Sequence, residues 1–143
     1  MRHFLLLMAF VCLPMSVFCQ VEQIVGKWKT VDDKTGDNFS IVEIYKGTNG
    51  LYYGKIAKML VGPAGQVCDK CEGADHNKPL EGLIIIRDMK AIDGELREGN
   101  VLDPESGKFY YGKIYIKEGR LVLRGSLDKR GFFGRNQTWI KAN

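Results

Sequence analysis

The side chains best suited to chemistry are concentrated in one short segment, residues 68–77, which reads CDKCEGADHN. Cys68 and Cys71 have the two-residue spacing found in disulfides, redox motifs and zinc sites, and His76 adds an imidazole. A thioredoxin-like enzyme holds its first cysteine at a helix N-terminus, where the helix dipole lowers the thiol pKa. Glycine and proline follow these cysteines instead of a helix. An enzyme that uses Cys68, Cys71 and His76 is therefore an alternative that we do not favour.

The sequence gives less support to a hydrolytic enzyme. His76 is the only histidine after residue 3, and no G-x-S-x-G nucleophile elbow accompanies it. Pairs of carboxylates, such as Asp32 with Asp33 and Asp103 with Glu105, lie in sequences that favour turns. We expect a protein that is not an enzyme and that needs no cofactor.

The start of the chain has the layout of a signal peptide. Arg2 precedes an apolar run over residues 4–13, and Pro14 and small or medium residues lead from it to Cys19. Pro14 interrupts the run after about half of the ~20 apolar residues that a transmembrane helix needs. No transmembrane segment is therefore predicted.

We predict cleavage before Gln20, which gives a signal peptide of residues 1–19 and one domain of residues 20–143. This domain is expected to be exported, to the periplasm or the extracellular medium. A lipid anchor on Cys19 is the less favoured alternative, because Phe18 is bulky for a lipid-attachment site.

Export bears on the cysteine pair. An oxidising compartment favours a disulfide between Cys68 and Cys71. Zinc would need four ligands, whereas the two cysteines and His76 supply three, with Asp69 or Asp75 as a strained fourth. We predict a disulfide and no metal, with zinc binding and free thiols as the alternatives.

Length and charge limit the remaining function classes. The exported part is long enough for one domain with a single core. The formal net charge of the chain, +4 at pH 7, favours solubility and indicates no particular partner. Residues 129–135 (KRGFFGR) place basic residues around aromatics, but Phe133 stands where an RNA-recognition motif requires glycine or alanine. No nucleic-acid partner is predicted.

The domain reads as a series of short strands. Runs of β-branched and aromatic residues alternate with turn sequences such as DDKTGD, KGTNG and DPESG, which is typical of an antiparallel sandwich or barrel. No helix is predicted, and residues 61–79 form the one long loop. The predicted strands cover residues 25–31, 39–45, 51–60, 83–88, 98–102, 109–117, 121–126 and 132–141. Closure of such a meander into a barrel removes its two unpaired edges.

The pentapeptide YYGKI occurs twice, beginning at Tyr52 and at Tyr110. Because successive strand side chains alternate between faces, each copy places its first tyrosine, its glycine and its isoleucine on one face. We predict that both sets face the interior and that each glycine makes room for a close neighbour. Lys58 would continue the inward series of the first copy, so we expect a bulge or the end of the strand there.

Several motifs together resemble one family. They include GKW at residues 26–28, SIVEIY at 40–45, the C-x-x-C loop, GNVLDPESGKFYYGKI at 99–114 and LVLRGSLDKRGFFGRNQTW at 121–139. Across nearly the whole exported chain, the sequence resembles the secreted bacterial domain-of-unknown-function family 2147. The resemblance implies an all-β fold, a single antiparallel meander that closes into a roughly eight-stranded, lipocalin-like (calycin-type) barrel. It implies export and no assigned activity.

Barrels of the lipocalin type carry a G-x-W tryptophan that closes the barrel floor beneath a basic residue of a late strand. The resemblance implies this role for Trp28, with Arg124 or Arg135 as the basic residue. A cation over an indole contributes about 0.5 to 2 kcal/mol.

Our first hypothesis is an exported, non-enzymatic barrel that binds a small apolar, lipid-like or aromatic ligand in a largely hydrophobic cavity. The candidate lining residues are Trp28, Val42, Ile44, Tyr52, Ile56, Tyr110, Ile114, Leu123, Arg124 and Arg135. A second hypothesis is a solid-cored barrel that meets a protein or envelope partner through residues 61–79. The third is the enzyme centred on the cysteines and His76.

Overall fold

A computed structural model describes residues 16–143, and residues 1–15, most of the predicted signal peptide, lie outside the described residues. The strands are β1 (Gly26–Val31), β2 (Asn38–Lys46), β3 (Tyr52–Met59), β4 (Ile84–Ile92), β5 (Glu95–Asp103), β6 (Lys108–Lys117), β7 (Arg120–Ser126) and β8 (Gly134–Lys141). Each strand pairs antiparallel with the next, and β8 pairs with β1, so the sheet closes into a barrel. The predicted eight-stranded meander barrel is confirmed.

Alternation along the strands builds the core. In β2, Ser40, Val42 and Ile44 are buried, whereas Glu43 and Tyr45 between them are partly exposed. Burial of one such aliphatic side chain contributes about 1.5 to 3 kcal/mol. The inward faces of the strands therefore supply most of the stabilisation of the barrel.

Both copies of YYGKI lie in strands, β3 and β6, and their glycines and isoleucines are buried as predicted. A Cβ atom on Gly54 would lie 2.7 Å from Ile86 Cδ1, and one on Gly112 would lie 2.8 Å from Val101 Cγ2. Each glycine thus admits a side chain from the neighbouring strand. The predicted bulge is also present, because the register of β2 with β3 shifts beside Lys58, which is exposed.

The hairpin between β4 and β5 is tighter than predicted. Only Asp93 and Gly94 separate the two strands, and both have positive φ, 51° and 79°, as a two-residue hairpin turn requires. The predicted strands stop at Asp88 and start at Glu98, two further residues with positive φ. The pairing of β5 with β6 is irregular around Glu98. Such irregularities break the alternation on which the strand prediction depends.

A helix that the sequence analysis did not predict, α1 (Ser16–Ile24), precedes β1. Val21 and Ile24 lie one turn apart and are buried in the core, and the helix contacts β5 and β6. The Trp28 indole donates a 2.8 Å hydrogen bond to the Ile24 carbonyl, which ties the helix to the barrel. Within residues 16–143, no helix has the length and apolar character needed to cross a membrane.

The two ends of the barrel differ. At the hairpin end, as we call it, short turns join the strands, and Gln20 of α1 lies against Gly94. These turns are residues 47–51, 93–94 and 118–119. The connections at the loop end are residues 32–37, 60–83, 104–107 and 127–133, and all except 104–107 are longer than any turn at the hairpin end. Loops on a rigid scaffold commonly carry function, so the loop end is the first place to look for a site.

Candidate functional site

Side chains fill the deep interior of the barrel. Seven of the predicted lining residues are at most 5% exposed and belong to the hydrophobic core: Trp28, Val42, Ile44, Tyr52, Ile56, Ile114 and Leu123. Trp139, Met89 and Leu96 belong to the same buried cluster. Because protein interiors are close-packed, a ligand deep in the barrel would have to displace these side chains.

The cation over the predicted barrel-floor tryptophan comes from Lys141, whose Nζ lies 4.5 Å from the centroid of the Trp28 ring. The prediction that Arg124 or Arg135 supplies this cation is wrong. Arg124 faces outward and hydrogen-bonds to the loop between β7 and β8, and Arg135 forms a 3.7 Å ion pair with Asp33. Lys141 reaches the ring because it pairs directly with Trp28 across the seam of the barrel.

The seam between β1 and β8 is short. Among the described residues, these strands pair only through Trp28 with Lys141 and Lys29 with Ile140. Both pairs lie toward the hairpin end, where β8 finishes and β1 begins. Toward the loop end, the described residues of β1 and β8 are not paired with each other.

Two polar side chains of β8 face inward beside this unpaired part of the seam. Gln137 pairs with the buried Leu123, and Arg135 pairs with Gly125, so alternation places both on the same face as Trp139. Both are exposed, and the Arg135 side chain is 84% accessible to solvent. The Trp139 indole donates a 3.2 Å hydrogen bond to the Gln137 side chain. This bond links the exposed Gln137 to the buried core.

Three other side chains complete this part of the interior. Tyr110 is partly exposed. A Cβ atom built on Gly125 would lie 3.5 Å from the Cβ of Tyr110, so Tyr110 and Gly125 lie together on the inner face. The buried hydroxyls of Thr30 and Ser40 lie 2.8 Å apart. We call the following set the barrel mouth: Thr30, Ser40, Tyr110, Arg135 and Gln137.

Sequence reasoning named two of the mouth residues, Tyr110 and Arg135, and missed the other three. Counting alternate positions back from Trp139 reaches Gln137, so the pattern contained the signal. These residues were passed over because the candidate lining residues were selected mainly for apolar or aromatic character. Leu123 is placed as predicted, on the inner face, whereas Arg124 lies outside the barrel.

The long loop of residues 61–79 is an ordered structure. Cys68 and Cys71 form the predicted disulfide, and both are buried. The Cys68 amide donates to the Lys78 carbonyl at 2.8 Å, and the Asn77 amide donates to the Cys68 carbonyl at 2.8 Å. The Cys68 sulfur also lies 3.5 Å from the Pro104 carbonyl. The disulfide thus fastens the loop against the turn between β5 and β6.

This arrangement bears on the enzymatic hypothesis. In the disulfide neither sulfur is a thiolate, the form that attacks substrates and binds metals. His76 Nδ1 lies 3.0 Å from the Cys71 carbonyl, within hydrogen-bonding distance. Over residues 16–143, no three His, Cys, Asp or Glu side chains converge as a metal site would require.

Asp75 anchors the same loop to the outer wall of the barrel. Its carboxylate is buried, 2.9 Å from the Arg87 guanidinium and 3.4 Å from Lys78 Nζ. Burial opposes ionisation, but the hydrogen bond and charge of Arg87, aided by Lys78, outweigh it and hold the pKa of Asp75 below its ordinary value. The same guanidinium lies 5.2 Å above the Phe109 ring. Charge and packing together fix this side of the loop.

Two depressions lie on the outer wall of the barrel. Each has a volume of about 470 Å³, and both are lined by Tyr53 and Ile84. One of them extends to Asp75 and Arg87 beneath the disulfide loop. These depressions are alternatives to the barrel mouth as a place for a small ligand.

The closed antiparallel meander defines the class of the protein, a lipocalin-like β-barrel. The chain belongs to the family described as "Uncharacterized protein conserved in bacteria (DUF2147)", whose profile matches residues 26–141. The resemblance inferred from the motifs is confirmed.

A solved structure has the same fold. Protein HP1028 from the human pathogen Helicobacter pylori, described as belonging to the lipocalin family, superposes with a TM-score of 0.72 at 22% identity. The match covers 83% of this chain and 82% of that chain. A comparison with curated proteins gave no match. At this identity the likeness shows the fold, so function has to be argued from the site.

Proposed function

We propose that this protein is an exported, non-enzymatic barrel that binds a small apolar or lipid-like ligand at the barrel mouth. The observation that carries the proposal is the exposure of the inward-facing Gln137 and Arg135 beside the unpaired part of the seam. Inward-facing residues of a small barrel are normally buried against one another. Their exposure at one end marks the part of the interior that a ligand can enter.

The mouth offers both kinds of contact that an amphipathic ligand needs. Leu123 and Val101 are buried on the inner face and pair with Gln137 and Tyr110, respectively. An apolar group could pack on this floor, while the amide, phenol and guanidinium groups at the rim bind a polar head. Because the deeper core is filled, we expect ligands with one short chain or one ring system.

Arg135 favours a ligand with an acidic head. Its exposed guanidinium is paired with Asp33 at 3.7 Å, and such a surface pair contributes only about 0 to 1 kcal/mol. A carboxylate or phosphate that binds both guanidinium nitrogens would compete well with this contact.

The proposal is tested by adding medium-chain fatty acids and small aromatic acids to the purified protein and measuring its melting temperature and tryptophan fluorescence. Binding to the folded state raises the melting temperature by mass action. The fluorescence of Trp139 should respond, because its indole is hydrogen-bonded to Gln137.

Two variants sharpen this test. Gly125→Val would put methyl groups beside Tyr110 in the mouth and should abolish the response. Thr138→Val changes an exposed, outward-facing residue of the same strand and should leave the response intact. No response to any ligand, or an equal response from Gly125→Val, would contradict the proposal.

Binding of a protein or envelope partner through residues 61–79 is the second candidate function. The loop is held rigid by its disulfide and exposes Val61 and Val67, 38% and 43% accessible. This function needs no ligand in the mouth, so it predicts a melting temperature that small ligands do not change.

A further inference from the structure

The loop between β7 and β8, residues 127–133, exposes three large apolar side chains. Leu127 is 72% accessible to solvent, and Phe132 and Phe133 are each 74% accessible. Single exposed apolar residues are common on protein surfaces. Three in one short loop form a patch, and exposed apolar patches mark sites of contact with proteins, ligands or membranes.

Polar contacts hold the loop in the shape that presents these rings. The Asp128 carboxylate accepts hydrogen bonds from the backbone amides of Phe132 (3.2 Å) and Phe133 (2.8 Å). The bond from Phe133, supported by that from Phe132, holds the pKa of Asp128 below its ordinary value. Arg124 Nε donates to the Gly131 carbonyl at 2.8 Å. The phenylalanines are thus displayed by a braced backbone.

Basic residues flank the apolar patch. Lys129 and Arg130 lie in the loop and are exposed, and Arg135 follows at the start of β8. Asp128 is the one carboxylate among residues 127–135, and it is turned to the backbone amides. Of these basic residues, Arg135 forms an ion pair with Asp33. The loop tip therefore carries net positive charge beside exposed aromatic rings.

This combination matches the chemistry of an anionic membrane surface. Aromatic and aliphatic side chains enter the boundary between lipid headgroups and acyl chains, while lysine and arginine are attracted to anionic headgroups. A protein partner would need a complementary apolar surface. The cations beside the rings favour an anionic lipid surface.

We propose that residues 127–133 dock the barrel on an anionic phospholipid membrane, with the three apolar side chains entering the interface and Lys129 and Arg130 contacting lipid phosphates. This proposal goes beyond ligand binding and does not depend on it. Since Arg135 of the barrel mouth directly follows the loop, docking would bring the mouth close to the lipid surface.

The test is co-sedimentation with vesicles of phosphatidylglycerol and phosphatidylcholine, compared with vesicles of phosphatidylcholine alone. The protein is used after leader removal, because residues 4–13 are apolar and would themselves bind lipid. Residues 20–143 retain all eight strands and the buried Val21 and Ile24. We expect binding to the anionic vesicles that weakens as salt screens the charges.

Two double variants separate the contributions. Phe132→Ser with Phe133→Ser should weaken binding by about tenfold or more, since it removes two apolar anchors. Lys129→Glu with Arg130→Glu should also weaken it, by about fivefold or more for each charge. The matched control, Lys117→Glu with Arg120→Glu, makes the same change in net charge on exposed residues at the hairpin end and should bind normally.

A direct reading of insertion comes from Phe132→Trp, whose emission should shift to the blue when anionic vesicles are added. The contribution of Trp28 and Trp139, both 2% exposed, is measured by adding the same vesicles to the natural protein and is subtracted. Three outcomes would overturn the proposal. They are an absence of vesicle binding, an equal loss in the hairpin-end control, and a self-associating protein whose oligomers dissociate when the two phenylalanines are replaced. The last would assign the patch to a second copy of this chain.

Discussion

Individual residues decide how closely the strands approach one another. Gly54 and Gly112 occupy the same position in the two YYGKI copies, and each lies under a side chain of a neighbouring strand, Ile86 or Val101. The repeated pentapeptide is therefore one packing arrangement used at two places in the barrel wall. It marks no duplicated active site.

This packing predicts that Gly54→Ala destabilises the protein by about 1–3 kcal/mol, because the added methyl group would overlap Ile86 in a filled core. Urea unfolding measures the loss. Gly125→Ala is the matched control, since its Cβ would meet Tyr110 at an ordinary 3.5 Å. Equal stability of the two variants would show that the wall is not packed as described.

At the scale of elements, the long loop behaves as a part of the fold. Residues 61–79 were predicted as the one long connection, and their disulfide followed from the cysteine spacing and the expected compartment. Asp75 was considered only as a strained zinc ligand, whereas it meets Arg87 of β4. Spacing within a loop predicts the contacts that the loop makes with itself. Contacts with a distant strand depend on where the loop lies.

The ion pair predicts a pH dependence. Because the pKa of Asp75 is lowered in the folded state, its contribution is present above the ordinary carboxyl pKa of about 4 and is lost as pH falls through the lower folded value. Asp75→Asn should therefore cost about 1–3 kcal/mol at pH 7. That difference from the natural protein should shrink in acid.

Urea unfolding of both proteins as a function of pH measures this difference. Asp69→Asn, a change to an exposed residue of the same loop, should have little effect at any pH. If the difference in unfolding free energy between Asp75→Asn and the natural protein stayed constant into strong acid, the ionised carboxylate could not be its cause.

Other elements show where pattern-based prediction stops. The Asp-Gly turn between β4 and β5 is a strong hairpin signal, yet the irregular residues Asp88 and Glu98 on either side interrupt the alternation. Helix α1 crosses the predicted cleavage point, so its residues were assigned to two different segments. Its two buried side chains, Val21 and Ile24, follow that point and belong to the predicted domain of residues 20–143.

For the whole molecule, closure of the barrel could be predicted because an eight-stranded meander otherwise exposes two edges. Which part of the interior is filled with side chains could not be predicted from the sequence. That depends on how side chains from facing strands interdigitate and on how far the β1–β8 seam extends. Toward the loop end β8 is not paired with β1, and its inward-facing Arg135 and Gln137 are exposed.

The central claim is that a small ligand enters at the loop end and reaches no deeper than the mouth. It is tested most directly by following backbone amide NMR shifts while a medium-chain fatty acid is added. We predict saturable shifts at Thr30, Tyr110, Arg135 and Gln137, with Ile44 and Leu96 unmoved. Shifts centred on the outer-wall depressions around Tyr53, or on the hairpin end, would contradict it.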